Sequence, residues 1–278
     1  MMPCMDGDRN DNALKRRRNL AESFSEYWRP PLHAPGTTWL QRSRSALRRF
    51  FDLQAGSIWR DLSKVLPAAS GTVLDVGCGA QPYRSLLPAD VQYVAIDTSH
   101  AREHFGYEAP DTRYFSGDRW PVEDESVDLV LCSEVLEHVL DPRLFLSEAY
   151  RCLRPGGKLL LTVPFAARWH FLPYDYWRYT PAGLKHLLTG ANFGEVLIYA
   201  RGNPLTVACY KWMAIMLPLL FPQDPGVFCI WGKRLLGLLA LPLTIMLAGI
   251  GNLTGETDWG NDCLGYTVSA RRHPLDKG

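Results

Sequence analysis

The order of apolar runs predicts that this 278-residue chain folds as an α/β domain around a mostly parallel sheet. Three observations carry that expectation. The runs "SVDLVLCS" (126–133) and "GKLLLTVP" (157–164) are unbroken and apolar, as strands covered on both faces require. Between them lies a helix signal: Asp141 as cap, Pro142 at the first position, Phe145, Ala149 and Leu153 on one face, and "RPGG" as the stop. The run "GTVLDVGCG" (71–79) ends in glycines at the carboxyl end of a first strand, where open α/β sheets bind ligands.

The elements follow in order. Residues 1–37 are polar and basic, broken by "RPPLHAPG", and predict a leader with at most short helices. Helical patterning starts near Thr38, and "SIWRDLSKVLP" puts Ile58, Leu62, Val65 and Leu66 on one face. After the first strand, "VQYVAID" (91–97) is the second and "TRYFSGD" (112–118) the third. Strands alternate with helices, so the crossovers are right-handed. Beyond Pro164, "TPAGLKHLLTG" is a capped helix, and "GEVLIYARG" (194–202) and "LGYTVSARR" (264–272) are strands with a long hydrophobic block between them.

Composition narrows the function. Apolar content of 47% and charge content of 21% are ordinary for a globular protein, and a net charge of +1 makes nucleic acid an unlikely partner for the whole chain. The basic residues concentrate at the start, with ten Lys/Arg against five Asp/Glu in residues 1–50. Such an end suits a solvated leader or contact with an anionic surface. Seven cysteines without a C-x-x-C pair suggest neither a disulfide framework nor zinc, and fit a reducing, cytoplasmic setting. The start "MMPCMDGDRNDNALKRRR" has no apolar core of signal-peptide length.

The chemistry is read from the loops. Asp75, Gly77 and Gly79 sit where the backbone can approach a ligand, and Asp97, ending the second strand, can accept both hydroxyls of a ribose. Asp118 can accept from a nucleobase amino group, with Trp120 placed to flank the ring. Together, "LDVGCG" (74–79), "WPVEDESVDLVLCSEVLEHV" (120–139) and "LRPGGKLLL" (153–161) resemble the class I S-adenosylmethionine-dependent methyltransferases over roughly residues 55–202. The final strand belongs to the same pattern.

The resemblance implies a Rossmann-like seven-stranded sheet with an antiparallel last strand, and S-adenosyl-L-methionine as cofactor. Asp75, Gly77 and Gly79 would line its methionine end, Asp97 its ribose and Asp118 its adenine, with Ser133 and Glu134 beside the sulfonium. Gln81 stands where many members have a third glycine, so the first helix is expected to begin differently, at Pro82 and Tyr83. That replacement also weakens a nicotinamide-enzyme reading.

In "SEVLEHV", a helix would bring Glu134, Glu137 and His138 to one face. Three roles stand open: Glu137 and His138 orient the loop, His138 takes a proton from a substrate hydroxyl, or the group holds a metal. Glu-x-x-Glu-His resembles the divalent-metal site of ubiquinone-pathway O-methyltransferases and small-RNA 2′-O-methyltransferases, with His170 as a further ligand. The segment "WHFLPYDYWRYTPAGL" follows the fifth strand. Trp169, Tyr174, Tyr176 and Trp177 offer flat surface there, and His170, Asp175 and Arg178 can orient a polar group.

In the family the last two strands are antiparallel partners joined by a short loop. The domain is therefore expected over 38–203 and 262–273, with 204–261 a hydrophobic helical insertion. Both ends of the insertion must return to one side of any membrane. "KWMAIMLPLLF" (211–221) is short for a span, whereas Leu235–Leu253 is uncharged and long enough. A re-entrant or interfacial hairpin, two spans, and a soluble lid or dimer face remain open. The first two put a small or lipid-linked acceptor at the cytoplasmic face of a membrane. A rival of another class is a non-catalytic, membrane-associated binding or scaffold protein; intact Asp75, Gly77, Gly79 and Asp97 favour the enzyme.

Overall fold

Strands form where the apolar runs lie: β1 Thr72–Val76, β2 Gln92–Thr98, β3 Thr112–Phe115, β4 Val127–Ser133, β5 Leu153–Pro164, β6 Phe193–Arg201 and β7 Gly265–Arg272. In this computed structural model the described residues are 36, 38–109, 111–222, 227–257 and 259–274, so the expected leader lies, save Gly36, outside them. The seven strands make one sheet in the order β3-β2-β1-β4-β5-β7-β6. β1 to β5 pair in parallel, and β7 runs antiparallel to both β5 and β6. The order reverses at β1, so a crevice opens beyond the carboxyl ends of β1 and β4.

Helices cover both faces, which is why the central strands carry unbroken apolar runs. On one face α1 (Trp39–Phe51) leads into α2 (Leu53–Val65), whose Ile58 and Leu62 pack with Leu66, Val73, Leu129 and Leu160. On the other, α4 (Pro142–Cys152) and α5 (Pro181–Gly190) bring Phe145, Leu146, Leu184 and Leu188 onto Leu74, Ile96, Val130 and Leu161. α3 is a short turn of helix, Ala101–Phe105, between β2 and β3. Caps fall where the sequence places them. Asp141 accepts from the Arg143 and Leu144 amides, Thr180 from Gly183, and Thr38 closes a capping box with Gln41.

Two local expectations are corrected. No α-helix follows β1; the chain makes only a 3-10 turn at Arg84–Leu86. Gln81, at the position of the third glycine, takes φ +53°, and its side chain is tied to Thr112 and Arg84. Nor is there an α-helix across Glu134–His138. Glu134 is left-handed at φ +54° and only Leu136–His138 forms a 3-10 turn, so the three side chains share no helical face.

The hydrophobic block folds as two helices, α6 (Pro204–Leu220) and α7 (Val227–Thr254). α6 outruns its most apolar stretch because Asn203 caps it, accepting from the Thr206 amide. The helices lie antiparallel: Gly237 meets Leu219 and Leu220, Thr244 donates to Met216 Sδ at 3.5 Å, and Asn203 donates to the Thr254 carbonyl. At the base, Leu53, Val207, Met213, Ala248 and Leu264 form a third cluster. Arg201 and Gly265 are paired across the β6–β7 ladder, so the hairpin stands on one rung of the sheet.

Candidate active site

Past β1 the chain turns through Gly77 and Gly79, both left-handed at φ +66° and +50°. A Cβ at Gly77 would lie 2.6 Å from Val135 Cγ2, so the turn admits only glycine. At Gly79 a Cβ would meet only the Tyr107 ring, at 3.7 Å, which leaves the backbone open to a ligand. The Gly79 amide donates to Asp97 Oδ2 at 2.9 Å and the Thr98 amide to Oδ1 at 2.8 Å. The carboxylate closing β2 is thus fastened to the loop after β1, with lone pairs to spare. Burial raises its pKa.

Asp75 is buried at the end of β1 and accepts from the Tyr93 hydroxyl at 2.6 Å. Burial pushes its carboxyl up to about 7, with Tyr93 opposing the shift. Asp118 is exposed on the wall of the same cavity, while Trp120 is buried against Phe145, ring centroids 5.0 Å apart. Ser133 Oγ lies 2.9 Å from Thr162 Oγ1. Glu134 does not join its neighbours: its carboxylate pairs with Arg201 at 2.8 Å. Arg201, buried at the end of β6, also donates to the Val163 carbonyl and Ser57 Oγ, both at 3.0 Å.

The remaining acid–base residues do meet. Glu137 is fully buried, and neither carboxylate oxygen has a hydrogen-bond partner among the described residues. Its Oε1 lies 3.8 Å from His138 Nε2 and 3.6 Å from His170 Nε2. His138 Nδ1 sits 2.8 Å from the Tyr174 carbonyl and His170 Nδ1 3.2 Å from that of Arg168. A carbonyl only accepts, so each Nδ1 carries a proton and each Nε2 faces the Glu137 carboxylate. Burial pushes Glu137 up to about 6 and lowers His138. One ligand atom from each residue falls within 4.8 Å of the others, a set that could hold a cation without Glu134.

The chain after β5 braces this group. The Tyr176 and Trp177 amides donate to the Glu137 carbonyl, and the Tyr179 hydroxyl to that of Leu136. Asp175 and Arg178 are paired with each other, and Asp175 accepts from the His170 amide at 3.0 Å. They position His170 instead of facing a ligand. Of the four aromatics expected there, Tyr174 lines the cavity, stacked on His104 at 4.0 Å, while Trp169, Tyr176 and Trp177 are exposed elsewhere.

Sequence reasoning missed Arg201 and Tyr93. Arg201 left a trace, a basic residue ending the strand "GEVLIYARG" at the ligand end of the sheet; Tyr93 left none.

A sequence model described as a methyltransferase domain matches residues 44–197, more than half of the chain. The chain belongs to that family. Its methyltransferase domain is of the class I, S-adenosylmethionine-dependent kind, in accord with the sheet order and the loop after β1. A probable S-adenosylmethionine-dependent methyltransferase of Mycolicibacterium smegmatis is 37% identical over 103 residues, covering 34% of this chain and 39% of that one. An uncharacterized methyltransferase of Mycobacteroides abscessus is 34% identical over 181 residues, 58% of this chain and 65% of its own. A ubiquinone biosynthesis O-methyltransferase of Cereibacter sphaeroides is 30% identical over 154 residues, 50% and 59%. The chain spans less than two thirds of the length of each of these curated relatives. The methyltransferase match ends before the α6–α7 hairpin begins.

Proposed function

We propose that this chain transfers the methyl group of S-adenosylmethionine to an oxygen nucleophile on a small or lipid-linked acceptor at the cytoplasmic face of a membrane. One observation carries the reading: the glycine loop fastened by Asp97 and the imidazoles of His138 and His170, which face the buried Glu137 carboxylate, line one cavity. The residues present fit the cofactor. Gly79 leaves its backbone open, Asp97 has acceptor capacity for ribose hydroxyls, Asp75 lies deep enough to face the ammonium group, and Asp118 lies farther out for the adenine. Ser133 and Glu134 line the wall between.

When bound, the cofactor supplies an electrophilic methyl on a sulfonium sulfur, so the chain has only to align the acceptor and remove a proton. Nε2 of His170 or His138 takes that proton, and Glu137, with no competing hydrogen bond, stabilises the imidazolium at close range. A second reading is supported by the same buried, unpartnered carboxylate: Glu137, His138 and His170 would hold a divalent cation, which would supply a Lewis acid to lower the pKa of the acceptor hydroxyl.

The membrane component rests on the hairpin. Trp231, Leu235, Leu239, Met246 and Leu253 are exposed along α7, and Ile230–Thr254 is long and apolar enough to cross a membrane by length and composition. An interfacial or re-entrant hairpin fits this face and the shared rung at its base. The relative named for ubiquinone biosynthesis is an O-methyltransferase, which favours oxygen as the nucleophile.

The test is transfer from methyl-labelled S-adenosylmethionine into a membrane lipid extract. Label is expected in the solvent-extractable fraction and lost in both His138→Ala and His170→Ala. Indifference to chelators and added divalent ions selects the imidazole base over the cation. Label confined to water-soluble products rejects the lipid-linked acceptor.

A further inference from the structure

We propose that the acceptor is a single-chain anionic amphiphile whose tail lies along one face of α6 and whose acidic head is held by the arginines of α1. The proposal rests on the methyltransferase reading above and names its substrate class. The cavity measures about 2110 Å³, beyond the roughly 300–1,000 Å³ that encloses a drug-sized ligand, so space remains once the cofactor's end is filled.

That space is built for hydrocarbon. Tyr210, Met213, Ala214, Leu217 and Phe221 recur at three- and four-residue spacing and line it, while Trp212 and Ile215 on the outside of α6 are 58% and 65% exposed. At 1.5 Å per residue the stripe is about 16 Å long, from the base of the hairpin to its tip. It therefore runs from Tyr210, whose hydroxyl accepts from the Arg168 amide two residues before His170, to the tip of the hairpin.

Another part of the lining is cationic. Arg42, Arg44 and Arg48 line the cavity from α1, a helix without an acidic residue, and none has an ion pair among the described residues. Arg48 interacts electrostatically with Tyr107, whose ring lies beside Gly79. An acidic head held there lies beside the cofactor loop.

The full chain, saturated with S-adenosylhomocysteine, is titrated with cis-parinaric acid, an 18-carbon fluorescent carboxylate. Saturable one-to-one binding is expected, displaced by palmitate and hexadecyl phosphate but not by butyrate or butyl phosphate; the ranking of the two long competitors tells carboxylate from phosphate. Ala214→Trp and Leu217→Trp should each weaken the probe at least tenfold, and Arg48→Gln severalfold, with S-adenosylhomocysteine affinity unchanged as the folding control. Ile215→Ala, on the outer face, should change nothing. Absence of saturable binding in protein that binds S-adenosylhomocysteine, equal displacement by short chains, or indifference to both tryptophan variants overturns the proposal. So does binding that appears only after removal of residues 1–35, which assigns the channel to that segment. Failure to bind S-adenosylhomocysteine defeats the methyltransferase reading, and this proposal with it.

Discussion

Asp75 and Glu137 are carboxyls whose environments hold protons that water would remove. Asp75, pushed up to about 7, must be ionised to face a cationic ligand, so cofactor affinity should rise as pH passes upward through 7. Binding about tenfold tighter at pH 8 than at pH 6 is expected by calorimetry. Tyr93→Phe removes the hydroxyl that favours the ionised form and should move the midpoint upward.

For Glu137 the ordinary value of 4.5 rises to about 6 on folding. The folded state then binds the proton more tightly, so stability from this group is highest below 4.5, falls as pH rises toward 6, and stays reduced above it. The reduction is about 2 kcal/mol. Glu137→Gln should therefore raise stability in urea at pH 8 by that order while methyl transfer falls at least tenfold. An unchanged urea midpoint would contradict the buried, unpartnered carboxylate. The placement of Gly77, Gly79 and Asp97 together at one end of the sheet was legible because the turn after β1 and the end of β2 are set locally. The diversion of Glu134 was not, because Arg201 lies 67 residues away and reaches it only through the folded sheet.

The helices of the hairpin meet along a seam of small residues on α7. A Cβ at Gly237 would lie 2.8 Å from Leu220 N and 2.9 Å from Leu219 C, both backbone atoms, whereas one at Gly249 meets nothing within 4 Å. Gly237→Ala should then cost about 1–3 kcal/mol through forced separation, while Gly249→Ala should gain about 0.5–1 kcal/mol from helix propensity alone. Thermal unfolding of the pair checks this, and equal effects would put the seam elsewhere.

At this scale the parallel strands and caps could be read directly, since unbroken apolar runs and cap residues act locally. The missing helix after β1 could not be. Gln81 occupies a left-handed position through contacts with Thr112 and Arg84, which only the fold brings near. The apolar stretch alone, 211–221, marked only the second half of α6, because Asn203 and not hydropathy sets its start.

Across the whole molecule, the sheet resumes after the α6–α7 hairpin interrupts it, so the methyltransferase domain and the hairpin can be tested apart. The Arg201–Gly265 rung lets residues 204–261 be replaced by a short turn without breaking the β6–β7 ladder. The full chain should float with anionic liposomes, and the shortened protein should keep cofactor binding and lose that flotation; persistent flotation would place the contact in the basic start of the chain.

The central claim is that the loop after β1 and the carboxylate closing β2 form a seat for a sulfonium nucleoside. Calorimetric titration of the purified full chain with S-adenosylmethionine tests it most directly. The account predicts one site, weakened at least tenfold in Asp97→Ala by the loss of charge-assisted bonds to the ribose. No binding by the unaltered chain, or equal affinity in the variant, would contradict it.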